Sequence, residues 1–263
     1  SVVIDLKSEE GAQSAQRLPS LAHVMVKNLR DGVIKRFGLV RVALCEANPR
    51  LIYCSISGYG QTGPSAELPA YAPVIHAAAG YDWAHLRYQE DRQRPDFCGI
   101  YVADVLAGTY AFGAIGVALH MRATNGLGRF IDVSMLESVL SLMPAELQQA
   151  QFHVEMPSRP LFGPIETLDG YVMLAVGSEK TFKGISDAMV RPDILVDPRF
   201  VRYPERRANW AGLMDIVEQW SRTLTSEQCL AKFAAYGVPA SLYRTVAEAL
   251  ADPQLAHRGA QID

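Results

Sequence analysis

One acid stands out as a candidate for chemistry. Asp104 lies in GIYVADVLAGTYAFGAIGVALHMRATNGLGRFIDVSMLESVLSLM (99–143), at the start of a segment otherwise built from apolar and small residues. Aspartate is among the preferred helix caps, so a structural role explains its position. The same position suits a nucleophile. The positive end of a helix favours the ionised carboxylate, and apolar surroundings would strip it of water. A carboxylate so held can attack an activated acyl group and form a covalent intermediate. Both roles use one geometry, and the local sequence leaves them open.

Two further segments carry ligand-binding residue types. Asn28, Leu29 and Arg30, in VKNLRDG, follow an apolar run, with Lys27, Lys35 and Arg36 close by. Loops at the carboxyl ends of parallel strands are where open α/β sheets bind ligands, and cations there suit phosphates. A solvated basic turn would look the same. SGYGQTG places Gly58, Gly60 and Gly63 at GxGxxG spacing after a strand-like run. A dinucleotide fingerprint needs a helix opening at the third glycine. Pro64 and Pro69 follow instead, and Glu67 is too close for the ribose acid, although Asp82 lies nineteen residues past Gly63. The segment therefore reads as a turn whose backbone closely approaches a neighbour or ligand. Arg87, Arg92 and Arg94, interleaved with Glu90 and Asp91, read as a mixed solvated loop.

Other chemistries find little support. There is no GxSxG nucleophile elbow. The six histidines are scattered without metal-ligand spacing, and His76, in VIHAAAG, reads as a core histidine. His120 suits the last turn of its helix. Cys45, Cys54, Cys98 and Cys229 form no CxxC pair, which fits free thiols in a reducing cytoplasm. No metal site is expected. The formal charge of −3 gives no electrostatic reason to expect nucleic acid or an anionic membrane as partner.

The elements that must position these residues alternate in period. SVVIDL (1–6), HVMV (23–26) and LIYCSIS (51–57) read as strands, separated by helices at 9–18 and 40–47. Short apolar runs between helices predict a parallel sheet covered on both faces. A loop with four prolines spans 64–95, followed by a helix over about 104–124 that TNGLG stops. Its apolar run, Val105 to Leu119, is fifteen residues, short of the roughly 20 that a membrane span needs, and predicts a buried core helix. Gly108, Gly113 and Gly116 would allow close helix contact there. FIDVSM (130–135) reads as a strand and 137–152 as one helix. MPSRPLFGP (156–164) marks a domain boundary. Beyond it come a strand at 169–176 and helices near 180–189, 206–223 and 226–236. Capping boxes pair Thr225 with Gln228 and Thr245 with Glu248. Beginning on a strand-like run and stopping without a terminal element, the sequence reads as part of a longer chain.

In order, NPRLIYCSISGYGQTGP, YVADVLAGTYAFGAIGVALHMRATNGLGRFIDVSMLESVLSL, DGYVMLAVGSEKTF and YGVPASLYRTVAEALADPQLAHRG together resemble the class III CoA-transferases, the CaiB/BaiF family, which also contains α-methylacyl-CoA racemases. The resemblance runs through the whole chain. It implies an α/β fold with a Rossmann-like large domain and parallel sheet (1–155), a smaller α/β domain (156–263), and a homodimer of interlocked rings. It implies that Asp104, at the start of a D-xxx-G helix with Gly108, attacks an acyl-CoA thioester to give an aspartyl anhydride. The substrates would be an acyl-CoA and a carboxylic acid, with coenzyme A a substrate and no tightly bound cofactor. By the same resemblance NLRDG corresponds to an N-F-x-P-G turn, so Asn28, Leu29, Arg30 and Arg36 would contact CoA. Gly58, Gly60 and Tyr71 would line the same cleft, with Ile75, Tyr101 and Phe112 completing an apolar lining.

Racemases of the family pair the aspartate with a histidine after the glycine turn. Here LPAYAP puts Tyr71 at that place, and a phenol with a pKa near 10 is a poor base at neutral pH. A transferase is therefore favoured over a racemase; a non-catalytic CoA-binding or assembly fragment, with Asp104 only as a cap, is a third reading. Tyr71 is followed by Ala72 rather than the aspartate many transferases have, and SRPLFGPIETLDG contains no glycine-rich closing loop. A cytoplasmic location is expected.

Overall fold

A computed structural model describes residues 2–29, 31–89, 92–95, 97–152 and 162–260. They fall into two compact units, Ser1–His153 and Val154–Asp263. The boundary expected between 155 and 156 lies outside the described residues.

The first unit runs α1 (Glu9–Leu21), β1 (Val24–Lys27), α2 (Asp31–Arg36), α3 (Arg41–Ala47), β2 (Ile52–Ser57), α4 (Ala72–Ala78), α5 (Tyr81–Leu86), α6 (Val102–Asn125), β3 (Phe130–Ser134), α7 (Met135–Leu140) and α8 (Pro144–Gln151). The three strands form a parallel sheet in the order β1-β2-β3. In the central strand Ile52, Tyr53, Cys54 and Ser55 are all buried, because helices cover both faces. Tyr53 packs with Ala15, Ile34, Leu39 and Leu44 on one side. Cys54, one residue on and so on the opposite face, packs with Ala72, Ile75, Ala103 and Ala107.

The mixed α/β organisation with a parallel sheet is as expected, but several local expectations fail. Residues 2–6 of SVVIDL form no strand, and Val2 and Val3 are exposed, because no neighbouring strand among the described residues pairs with their backbone. The proline-bearing stretch contains α4 and α5. Pro73 stands in the first turn of α4, where its missing N–H costs nothing. The single helix expected over 137–152 is two, α7 and α8, with the break at Ser141–Met143 just before Pro144.

The largest correction concerns α6. Its buried stripe is narrow: Ala103, Ala107, Ala111 and Ala118, with Arg122 near the end. Alanines let the helix lie close to β2, β3, α4 and α7. The opposite face stays open, with Phe112 82% and Val105 65% exposed. Gly108, Gly113 and Gly116 meet nothing within 4 Å, so they serve no close contact among the described residues. At 24 residues the helix is long and apolar enough to cross a membrane by length and composition, yet its alanine stripe seats it on the sheet. It stops as TNGLG predicts: Gly126 takes the left-handed conformation (φ 77°) and its N–H donates to the Arg122 carbonyl.

The second unit contains β4 (Pro164–Glu166), β5 (Tyr171–Leu174), α9 (Glu179–Met189), a 3₁₀ turn (Pro192–Leu195), α10 (Tyr203–Ala208), α11 (Trp210–Ser221), α12 (Ser226–Ala235), β6 (Ala240–Leu242), α13 (Val246–Leu250) and α14 (Pro253–His257). Its sheet is antiparallel in the order β4-β5-β6. Ile165, Val172 and Leu174 meet Phe182, Leu213 and Phe233 in one core. The helix expected over 206–223 is broken at Asn209, which leaves helical geometry (φ −108°, ψ 26°). Both expected capping boxes are formed, and a third pairs Ser178 with Thr181.

Candidate active site

Asp104 is not a cap. The N-cap of α6 is Tyr101, and Asp104 is the third helical residue, on the exposed face. The carboxylate still lies in the first turn of α6. In the described chain it is open to water, so the dry setting expected for it is not supplied by these residues. Gly108, one turn on, leaves the neighbouring helix surface bare.

The first turn of α6 is anchored from behind. Val102 N–H donates to the Ile100 carbonyl (3.0 Å), and Ala103 N–H to His76 Nε2 (3.2 Å). His76, on α4, is fully buried, as expected of a core histidine. Its ring packs against Tyr81 and Phe97, with centroids 5.0 Å and 5.6 Å away. Its Nδ1 has no hydrogen-bond partner among the described residues. Burial pushes the imidazole pKa below its ordinary value, against the upward pull of Asp82 and Asp104. A buried, neutral His76 behind the helix is not presented as a second base opposite Asp104.

The glycine turn begins at the carboxyl end of β2. At Gly58 a Cβ would stand 2.2 Å from the Ala70 Cβ, so the absence of a side chain is what lets 58 and 70 touch. Gly60 and Gly63 have φ of 89° and 98°. No helix opens at Gly63; the next one is α4, which excludes the dinucleotide fingerprint. The turn is tied to both flanking strands. Gln61 N–H donates to Asp132 Oδ2 on β3 (3.0 Å), and Leu136 N–H to the Gly58 carbonyl (3.0 Å). Lys27, buried at the end of β1, donates to Gln61 Oε1 (2.8 Å) and to the Leu29 carbonyl (3.4 Å), while Gln61 Nε2 donates to Ser57 Oγ (3.0 Å).

This network brings several expected site residues together. Asn28 and Leu29 stand exposed just past β1, linked through Lys27 and Gln61 to the turn that contains Gly58 and Gly60. Arg36 is exposed at the end of α2. Tyr71 is the exposed N-cap residue of α4, one residue past the Gly58–Ala70 contact. Arg30 lies outside the described residues. Ile75 is buried in the core and cannot line a ligand site, whereas Tyr101 and Phe112 are exposed.

Beside the turn is a cleft of about 250 Å³ lined by Lys35, Val40, Arg41, Tyr53, Gln61 and Phe130, among others. The Arg41 guanidinium stacks over the Phe130 ring at 4.5 Å. Sequence reading passed over Arg41 and the tie between Lys27 and Gln61, because strand register and turn geometry create them. No His/Cys/Asp/Glu group that could hold a metal occurs among the described residues.

The chain is similar to known proteins in sequence and in fold. The model of CoA-transferase family III matches residues 1–263. The chain is 31% identical, over 98% of its length, to a succinyl-CoA–D-citramalate CoA-transferase of Chloroflexus aurantiacus, of which it covers 66%. It is 32% identical, again over 98%, to an acetyl-CoA:oxalate CoA-transferase of Acetobacter aceti, covering 68% of that protein. The solved structure of a CaiB/BaiF family protein from Brucella suis superposes with a TM-score of 0.82 at 32% identity, over 100% of this chain and 71% of the other. The chain thus spans about two thirds of the length of these curated relatives.

Proposed function

The chain belongs to CoA-transferase family III, and from that premise we propose that it moves CoA between carboxylic acids with Asp104 as the nucleophile. The Asp104 carboxylate attacks the thioester carbonyl of an acyl-CoA, forming an aspartyl-acyl anhydride and releasing CoA thiolate. The thiolate then attacks the aspartyl carbonyl, the donor acid leaves as carboxylate, and Asp104 carries CoA as a thioester. The acceptor carboxylate displaces that thiolate to make a second anhydride. Attack of the thiolate on the acceptor's carbonyl releases the new acyl-CoA and restores Asp104. The balance needs no oxidant, metal or external proton.

The observation that supports this reading most is the placement of Asp104: in the first turn of a 24-residue helix, on its open face, with the turn braced from behind. CoA lies along Asn28, Leu29, Arg30 and Arg36, with Gly58, Gly60 and Tyr71 in the same cleft. The acids named for the two curated relatives, citramalate, succinate and oxalate among them, make small acids that carry a second carboxylate the first donors and acceptors to try. In this reading the protein is a cytoplasmic homodimer with a Rossmann-like large domain, and assembly covers the exposed face of α6. That cover supplies the dry setting an anhydride requires.

Asp104→Asn tests it in the complete protein. The change costs less than about 1 kcal/mol of stability, the scale of a helix-dipole contact, since the residue caps nothing. CoA exchange falls on the order of 10³-fold or more, as when a covalent nucleophile is removed. Exchange that survives in the folded variant would refute the assignment.

A further inference from the structure

Acyl transfer through Asp104 leaves His76 unused, although its buried contact is made to the residue adjoining the nucleophile. We propose that His76 is the positioning residue of Asp104: by accepting the Ala103 amide proton at Nε2, the neutral imidazole fixes the first turn of α6 and with it the direction of the carboxylate.

The geometry permits one tautomer. An amide donor at 3.2 Å requires a lone pair on Nε2, so the ring proton belongs on Nδ1. The ring packs against both Tyr81 and Phe97 and is fully buried, which restricts its rotation. Phe97 also packs against Tyr101, the N-cap residue, at 5.9 Å, so one aromatic stack spans His76 and the start of the helix. Ala103 is itself fully buried, and its N–H is one of the donors that no α-helix can satisfy internally. His76 supplies the acceptor from α4, 27 residues earlier in the chain.

Protonating His76 would turn Nε2 into a donor facing a donor and release the turn. The groups around the ring decide when this happens. From α5 come Tyr81 and Asp82, whose buried Oδ1 also has no partner among the described residues; His85 stacks on Tyr81. Cys98, from the segment before α6, hydrogen-bonds the Tyr81 hydroxyl, and Asp104 acts from α6 itself. Burial favours the neutral ring, while Asp82 and Asp104 favour the cation. Transfer activity therefore carries an acid limb to which His76 contributes. This inference rests on Asp104 being the nucleophile.

The test compares His76→Gln and His76→Leu in the complete protein, with kcat and KM for acyl-CoA measured across pH. Gln keeps an acceptor oxygen but never titrates. It holds kcat within about threefold of wild type at neutral pH and moves the acid limb down by about half a pH unit or more. Leu leaves the Ala103 amide unpaired and lowers kcat about tenfold or more at every pH, with KM changed less than about twofold. A folded His76→Leu protein with wild-type kcat, or a Gln variant with an unmoved acid limb, overturns the proposal. Hydroxylamine trapping in the wild type separates the two readings. A hydroxamate on Asp104 together with indifferent His76 variants removes only the positioning role, whereas no hydroxamate removes the nucleophile and the positioning role with it.

Discussion

Gly58→Ala is the sharpest test of how the glycine turn is built. The added Cβ would stand 2.2 Å from the Ala70 Cβ, where ordinary carbon contacts begin near 3.5 Å. Something must move by more than an ångström, and neither partner is a flexible side-chain end. Residue 58 is held by the Leu136 N–H on its carbonyl, and the stretch past 70 enters α4, whose Ile75 is fully buried. Gly58 does not have a positive φ, so alanine brings no backbone penalty and the cost is steric. Overpacking of this kind costs about 1–3 kcal/mol. Ala70→Gly removes the opposing methyl; the next neighbour, Ile75 Cδ1, is 3.4 Å away, a contact that small shifts relieve. Urea unfolding of the four members of this cycle should show Gly58→Ala destabilised by about 2 kcal/mol and the double variant regaining at least half of it. KM for acyl-CoA should rise in the single variant and recover in the double one. A Gly58→Ala protein within about 0.5 kcal/mol of wild type, or a loss that Ala70→Gly does not touch, would refute the contact.

Two predictions concern the second unit. Asp169 accepts from the Ser226 N–H (2.7 Å) and hydroxyl (2.9 Å), which hold its carboxyl below the usual carboxylate range. A depressed pKa gives stability that is present above the unfolded-state value and lost as pH falls through the folded one. Asp169→Asn should therefore flatten the fall in stability below about pH 4, and an unchanged acid-unfolding profile would count against that bond. Cys229 is fully buried in the core, and burial pushes its thiol up to about 11. Iodoacetamide at pH 8 should leave it unlabelled until the unit unfolds, and labelling in the native protein would show that the core opens.

How far the sequence reveals this molecule depends on whether a feature is local. The strand Ile52–Ser57 was legible because a run apolar on both faces has few other homes, and the Thr225–Gln228 box because capping is written within four residues. The Ser178–Thr181 box escaped notice because threonine stands where glutamate or glutamine is the usual signal. Pro73 hid α4 by suggesting loop, although a first-turn proline starts helices as readily as it ends them. SVVIDL has the composition of a strand, but composition does not supply a partner. The apolar run of α6 was legible as a helix; which face the alanines would bury was not, and the open face follows from that narrow stripe. Asp104 does stand at a helix start, but three residues past the N-cap, Tyr101, rather than at the cap itself. The His76–Ala103 bond, spanning 27 residues, has no sequence signature at all.

The proposed transfer turns on a covalent bond to one carboxylate. The direct measurement is to incubate the complete protein with acyl-CoAs of small dicarboxylic acids, quench with hydroxylamine, and read the peptide containing residues 99–122 by mass. A hydroxamate on Asp104 that forms only with acyl-CoA present is the expected result. Its absence across active substrates, with solvent deuterium entering the α-carbon instead, would contradict the transferase mechanism and assign the fold to proton transfer.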